Sequence, residues 1–258
     1  FNYLSYLGTA TMSAEEIAQK MYQLACSYSF RSGSSVTNIS LSGLNENLPA
    51  AMQIVEDLAR NAVPDENILA NLKADMLKSR ANSKLNQSSC FSALQRYVFY
   101  GPEFIDKTTL SNDEIMALTS EELLAKVREL LGYEHEVLYY GPSSEAEVVK
   151  VISEQHPTAS ELKPLEMAYP SYLGTPESKV YMVQYDAKQI YYLQYSNRGE
   201  KLDLAADPYI TMYNEYFGGG FSGLVMNEIR EKRSMAYNAY GHFSRPLKQG
   251  QMTKFVGY

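Results

Sequence analysis

Tryptophan is absent from this chain of 258 residues, cysteine occurs twice and histidine three times. Each shortage closes a class of explanation. Cys26 and Cys90 stand far apart in apolar-patterned segments and form no C-x-x-C, so they read as two reduced core thiols rather than a disulfide or a nucleophile. His135, His156 and His242 complete the histidine inventory, and no two have the i, i+4 spacing that turns a pair of imidazoles toward zinc from one helix face. No metal site is expected from them. His135, between Glu134 and Glu136, reads as a solvated or satisfied sheet residue. No run approaches the ~20 consecutive apolar residues of a membrane helix, so no membrane span is expected. Basic residues number 23 against 30 acidic ones, a net charge of −7, which leaves a phosphate-tracking surface without support and nucleic acid an unexpected partner. The opening "FNYLSYLGTATMS" has neither the basic region nor the cleavage site of a signal peptide, and "KFVGY" reads as the middle of a strand. Both features lead us to expect a piece of a longer protein, with its compartment unreadable.

What is present is the composition of a folded chain, 45% hydrophobic and 21% charged, long enough for two domains of ordinary size. "SAEEIAQKMYQLAC" opens on a capping box, Ser13 with Glu16, and spaces Ile17, Met21 and Leu24 as a helix does. "YSFRSGSSVTNISLSG" predicts a hairpin. Helices are expected over "NLPAAMQIVEDLARNA" and "PDENILANLKADMLKSRANSK", with Pro64 suited to a first turn, and again near Phe91–Tyr100, over "TSEELLAKVRELLG" and over "SSEAEVVKVISEQ". "YEHEVLYYGP", "KVYMVQYD", "QIYYLQYS", "AYNAYGHF" and "QMTKFVGY" read as strands. The order is that of an α+β chain with helices on one face of antiparallel-rich sheets. A stretch rich in proline and without period places a linker at 157–176, between a first domain at 1–156 and a second at 177–258.

Three constellations invite a chemical reading. "GGGFSG" fits G-x-G-x-x-G through Gly218, Gly220 and Gly223, yet the helical spacing of Ile210, Tyr213 and Phe217 stands where a nucleotide fingerprint needs a strand. A glycine joint between two close-packed helices is the better reading. The 22 tyrosines suit a peptide-binding surface, and also plain β propensity. Arg230 and Tyr237 fall at the end of one helical pattern and the start of a strand-like one; a guanidinium there also suits the negative end of the helix dipole.

"NEYFGGGFSGLVMNEIREKRSMAYNAY" closely resembles the signature in the last domain of the pitrilysin/insulinase-type zinc metallopeptidases, which include the mitochondrial processing peptidase relatives. "LGTATMSAEEIAQKMYQLACSYSF" and "YYGP" resemble the domain before it. The likeness implies two α/β-roll domains of the processing-peptidase type, the first a degenerate copy of the zinc domain and the second incomplete. It implies a clamshell peptidase in which one half holds zinc through H-x-x-E-H and a distal glutamate. The other half contributes an arginine and a tyrosine, matching Arg230 and Tyr237, that reach the substrate carbonyl and the oxyanion.

Aligned on Gly8 and Thr9, the zinc motif's glutamate base falls at Asn2 and its second histidine at Tyr3. The region of the distal glutamate reads "KADMLKSR", and no glutamate occurs between Glu66 and Glu103. By this likeness the chain is the non-zinc half, with no cofactor of its own, zinc in a preceding half on the same chain or a separate subunit, and a peptide as substrate. The alternative is an inactive scaffold or peptide-binding module of the same fold, like the family's core subunits in respiratory complexes.

Overall fold

Ser13 and Glu16 close a reciprocal cap at the start of helix α1 (Ala14–Gln23): the Ser13 amide donates to the Glu16 carboxylate at 2.7 Å and the Glu16 amide to the Ser13 hydroxyl at 3.2 Å. The same device opens α5 (Asn112–Ala117), α6 (Ser120–Leu130) and α7 (Glu145–Gln155), through Ser111 with Glu114, Thr119 with Glu122, and Ser144 with Glu147. In every case the cap residue's backbone N–H, then its hydroxyl, holds the glutamate below the usual carboxylate range. A carboxyl depressed in the folded state stabilises above its unfolded value, about 4.3, and stops doing so as pH falls through its folded value. We expect helix stability to drop below about pH 4. Replacing these glutamates with glutamine, which keeps the cap but cannot be protonated, should flatten that drop in melting curves followed by circular dichroism.

The computed structural model describes residues 2–33, 36–165, 172–199, 203–244 and 254–258. The tip of the expected hairpin, part of the expected linker and the start of the last expected strand lie outside them. The chain divides into two compact units, one made of Phe1–Lys78 and Ser111–Tyr169, the other of Ser79–Leu110 and Pro170–Tyr258.

In the first unit, β1 (Cys26–Ser32) and β2 (Thr37–Gly43) form the expected antiparallel hairpin, in register from Cys26 opposite Gly43 to Ser32 opposite Thr37. Around it lie α1, α2 (Leu48–Asn61), most of α3 (Glu66–Ser83), α5, α6 and α7. Helix α2 turns Ala51, Ile54, Val55, Leu58 and Ala59 inward, a 3–4 spacing that buries one stripe against Leu4, Leu7, Ile17, Phe30, Leu69 and Leu124. Each such large apolar side chain contributes about 1.5–3 kcal/mol by leaving water. Pro64 lies outside the first turn of α3, because Asp65 is the cap there: its carboxylate accepts the amides of Asn67 at 2.8 Å and Ile68 at 3.0 Å.

The second unit takes α4 (Gln87–Thr108), which is longer than its sequence signal because two helical pieces join across a kink at Gly101, with φ of 80°, ahead of Pro102. Aromatic packing holds α4 there: Phe99 lies 4.7 Å from Tyr195, Tyr100 stacks on Tyr172 at 5.0 Å, and Phe91 meets Tyr191 at 5.3 Å. Strands β3 (Gln194–Ser196), β4 (Gly241–Ser244) and β5 (Lys254–Gly257) form an antiparallel sheet in the order β3-β5-β4. Helix α8 (Asp207–Gly218) lies on β4 and β5 through Tyr213 against Phe243 and Phe217 against Phe255.

The architecture is α+β with antiparallel sheets, as expected. Two strand expectations fail locally. Tyr133 bridges Lys163 and residues 134–139 form no ladder. Of the two strand-like runs between Lys179 and Ser196, a ladder forms at Gln194–Ser196 alone. β propensity describes side chains that suit a pleated surface, and a ladder also needs a partner backbone alongside. Among the described residues these segments have none. No helix among the described residues is long and apolar enough to cross a membrane.

Candidate functional site

The glycine-dense stretch is a joint. A Cβ on Gly218 would overlap the carbonyl oxygen of Gly241 at the start of β4, and one on Gly219 would overlap the carbonyl oxygen of Glu215. Gly220 takes a left-handed φ of 57°. Asn214 then fastens α8 to the edge of β4: its side-chain amide donates to the Phe243 carbonyl at 3.0 Å and its carbonyl accepts the Phe243 amide at 2.8 Å. The segment preceding Gly218 is helical, so the nucleotide fingerprint lacks its strand.

After the joint the chain runs through a short 3-10 turn at Gly220–Ser222, α9 (Leu224–Met226) and a π-helical turn at Asn227–Glu231, where the Lys232 amide reaches the Asn227 carbonyl at 3.0 Å. Single π turns insert one residue into a helix and so re-aim the side chains that follow. The sequence expects a plain helix here, since π and α turns share the same apolar spacing over one turn. Amides of Ser234 and Met235 return to the carbonyls of Arg230 and Ile229 at 2.8 and 3.0 Å, with Ser234 at φ 50°, and the chain is reversed toward β4.

This reversal brings Arg230 and Tyr237 together. The Arg230 guanidinium carbon lies 5.2 Å from the centre of the Tyr237 ring and 5.4 Å from that of Phe221, and Arg230 Nε is 3.6 Å from the Glu231 carboxylate. Arg230 is at a helix end, as expected. Tyr237 lies in a bend four residues ahead of β4 rather than at the strand's start, and it is 87% exposed. Phe221 and Glu231 are the members of this cluster that the sequence reading did not select. Phe221 sits inside the glycine run, where its ring could have been noticed as the bulky residue among small ones. A planar cation steadied by two rings, next to an exposed phenol, can hold a carbonyl or carboxylate oxygen by forked N–H donors and offer one further O–H donor.

Tyr3, matched to the zinc motif's second histidine, and Lys73, in the region of the distal glutamate, are arranged for other work. Tyr3 is buried; its hydroxyl donates to the Asp65 carbonyl at 2.8 Å, accepts the Asp65 amide at 2.9 Å and meets the Ser120 hydroxyl. In α3 the buried Lys73 donates to the carbonyls of Met116 at 3.0 Å and Leu118 at 2.5 Å, satisfying the open end of α5. A hydroxyl committed to the backbone and a buried ammonium do not fit a zinc ion. The side chain of Asn2 lies outside the described residues.

No protein-family model matches the chain. A curated relative, an uncharacterized zinc protease of Rickettsia felis, is 23% identical over 98% of this chain, which spans 61% of that protein. Among solved structures, the peptidase M16 inactive domain from Pseudomonas fluorescens superposes with a TM-score of 0.61 at 17% identity, over 99% of this chain and 62% of that one. The periplasmic protease PqqL from Escherichia coli does so with a TM-score of 0.69 at 15% identity, over 99% of this chain and 28% of its own length. The chain thus has the fold of the pitrilysin/insulinase-type peptidase domains. The family resemblance read from "FGGGFSGLVMNEIREKRSMAY" is borne out.

Proposed function

We propose that this chain is the non-zinc half of a two-half peptidase, closing on a zinc-binding half and supplying substrate contacts from Arg230 and Tyr237. The observation that carries the reading is the convergence of these two side chains, seven positions apart in sequence, on one reversal of the chain at a π-helical turn. Support also comes from the fold, from the name of the curated relative, and from the length of that relative, which leaves room for sequence beyond this chain. Zinc would belong to the partner half, on the same chain or a separate subunit, and the substrate would be a peptide. In that assembly Arg230 holds a substrate carbonyl in the ground state and Tyr237 donates to the oxygen that becomes negative.

Peptide cleavage by the assembled halves tests this. Arg230→Ala should raise KM about tenfold, the loss of one charge-assisted contact worth ~1.4 kcal/mol. Arg230→Lys should recover part of it at most, because a lysine cannot present a planar fork. If Arg230→Ala changed the melting temperature but left KM untouched, the guanidinium would serve only to clamp Phe221 and Tyr237, and the scaffold reading would take its place.

A further inference from the structure

Two histidines that have no spacing relation in the sequence meet in the first unit. His135 lies just after the Tyr133 bridge, and His156 ends α7 as its C-cap. Their Nε2 atoms stand 2.8 Å apart, with ring planes at 89° and centres 4.9 Å from each other. The other nitrogen of each ring is already engaged. His135 Nδ1 is 2.7 Å from the carbonyl oxygen of Tyr133, and His156 Nδ1 is 2.5 Å from Oε1 of Glu56. Glu56 is itself fixed, since its other oxygen accepts from Arg60 Nε at 3.0 Å and the same arginine donates to the Pro157 carbonyl at 2.7 Å.

These partners decide where the ring hydrogens sit. A backbone carbonyl can only accept, and a carboxylate paired with arginine accepts as well, so each Nδ1 carries the hydrogen of its ring. With both imidazoles neutral, bare Nε2 lone pairs face one another at 2.8 Å, and a proton added to one ring makes the contact an N–H···N bond. Facing lone pairs repel, and a cation between them turns the conflict into a bond.

We propose that His135 and His156 form a binding site for a divalent transition-metal ion of the Zn²⁺ type, with both Nε2 atoms as ligands and water in the open positions. The surroundings are the outer shell that ligating imidazoles have: one Nδ1–H on a carboxylate, the other on a backbone carbonyl. Nitrogen ligands at about 2.0–2.1 Å in tetrahedral geometry lie roughly 3.3 Å apart, so the rings need to part by only about half an ångström. The exposed His135 can make that movement, while His156, 12% exposed, is held by Glu56. No group of three or more metal-ligating side chains occurs among the described residues, so the affinity rests on this pair. The pair shares no residue with Arg230 and Tyr237, or with the positions matched to the family's zinc motif. It holds or fails independently of the peptidase reading.

The test uses the whole 258-residue chain without an affinity tag, stripped by chelator and titrated with Zn²⁺ by calorimetry, and with Co²⁺ to read nitrogen ligation in the visible spectrum. One saturable site is expected. His135→Ala, a change at an exposed position that leaves the fold intact, should weaken it at least tenfold, as should His156→Gln. Glu56→Gln should weaken it about 10- to 100-fold. Absence of Zn²⁺ binding to the unmodified chain, or an affinity in either histidine variant equal to that of the unmodified chain, would overturn the proposal. So would nitrogen-15 spectra in which one hydrogen is shared between the two Nε2 atoms while Zn²⁺ is present, since the pair would then be bridged by a proton alone.

Discussion

On the proposed function, Tyr237→Phe is expected to lower kcat of the assembled peptidase about 10- to 1000-fold and to leave KM within about twofold. The phenol oxygen is the only group removed, and in the proposed role its O–H would donate to charge that exists in the transition state and not in the bound peptide. Charge-directed donors in water-excluded sites are worth several kcal/mol, far more than the same bond in solvent. The ring is 87% exposed in this chain, so its hydroxyl has no role in the core. Folding should therefore be unchanged, and the Arg230 guanidinium keeps a ring to lie over, since phenylalanine preserves the face. Measuring kcat, KM and melting temperature against one peptide separates the cases. A kcat within twofold of the unmodified enzyme would remove Tyr237 from the catalytic machinery.

Gly218→Val is expected to lower the melting temperature of the second unit by roughly 10–15 °C, the effect of about 3 kcal/mol in a unit of its size. The first atom added already overlaps the Gly241 carbonyl, and valine's methyl groups extend the overlap. Nothing nearby can rotate away, because the obstacle is the backbone of β4, held in register with β5 through Gly241 opposite Gly257. Helix α8 must lift off the sheet, and the Asn214 bonds to Phe243 go with it. Gly220→Ala is the matched control: no atom lies within 4 Å of the added carbon, and only the left-handed φ of 57° is strained, at about 1–2 kcal/mol. If Gly220→Ala were the more damaging change, close packing would not be the reason for the glycine run.

The legible parts of the fold are those in which cause and effect lie within a few residues. Ser13 with Glu16 and Thr119 with Glu122 announce helix starts because the capping bonds are local, and the hairpin follows from two β-prone runs around one turn. The extent of α4 was not legible, because Gly101 and Pro102 signal an end while aromatic contacts with distant residues carry the helix onward. The strand-like runs near Val137 and Val180 have side chains that suit a sheet, but among the described residues no partner strand pairs with them. In the candidate site, Arg230 and Tyr237 stood out through the likeness, and Phe221 did not.

By itself the sequence determined the α+β class, the helix caps, the hairpin and the glycine joint, each written in short spacings, while the pair Arg230 and Tyr237 was singled out through the family likeness. Tertiary structure alone decided that the π turn aims Arg230 at both Phe221 and Tyr237, that Tyr3 serves the backbone at the position matched to a zinc ligand, and that Lys73 does so in the region of the distal glutamate. It alone brought His156 against both His135 and Glu56. The physical reason is common to all three. Short spacings fix dihedral angles and hydrogen bonds along the chain, whereas a contact between residues tens of positions apart depends on where packing of the whole core leaves their backbones.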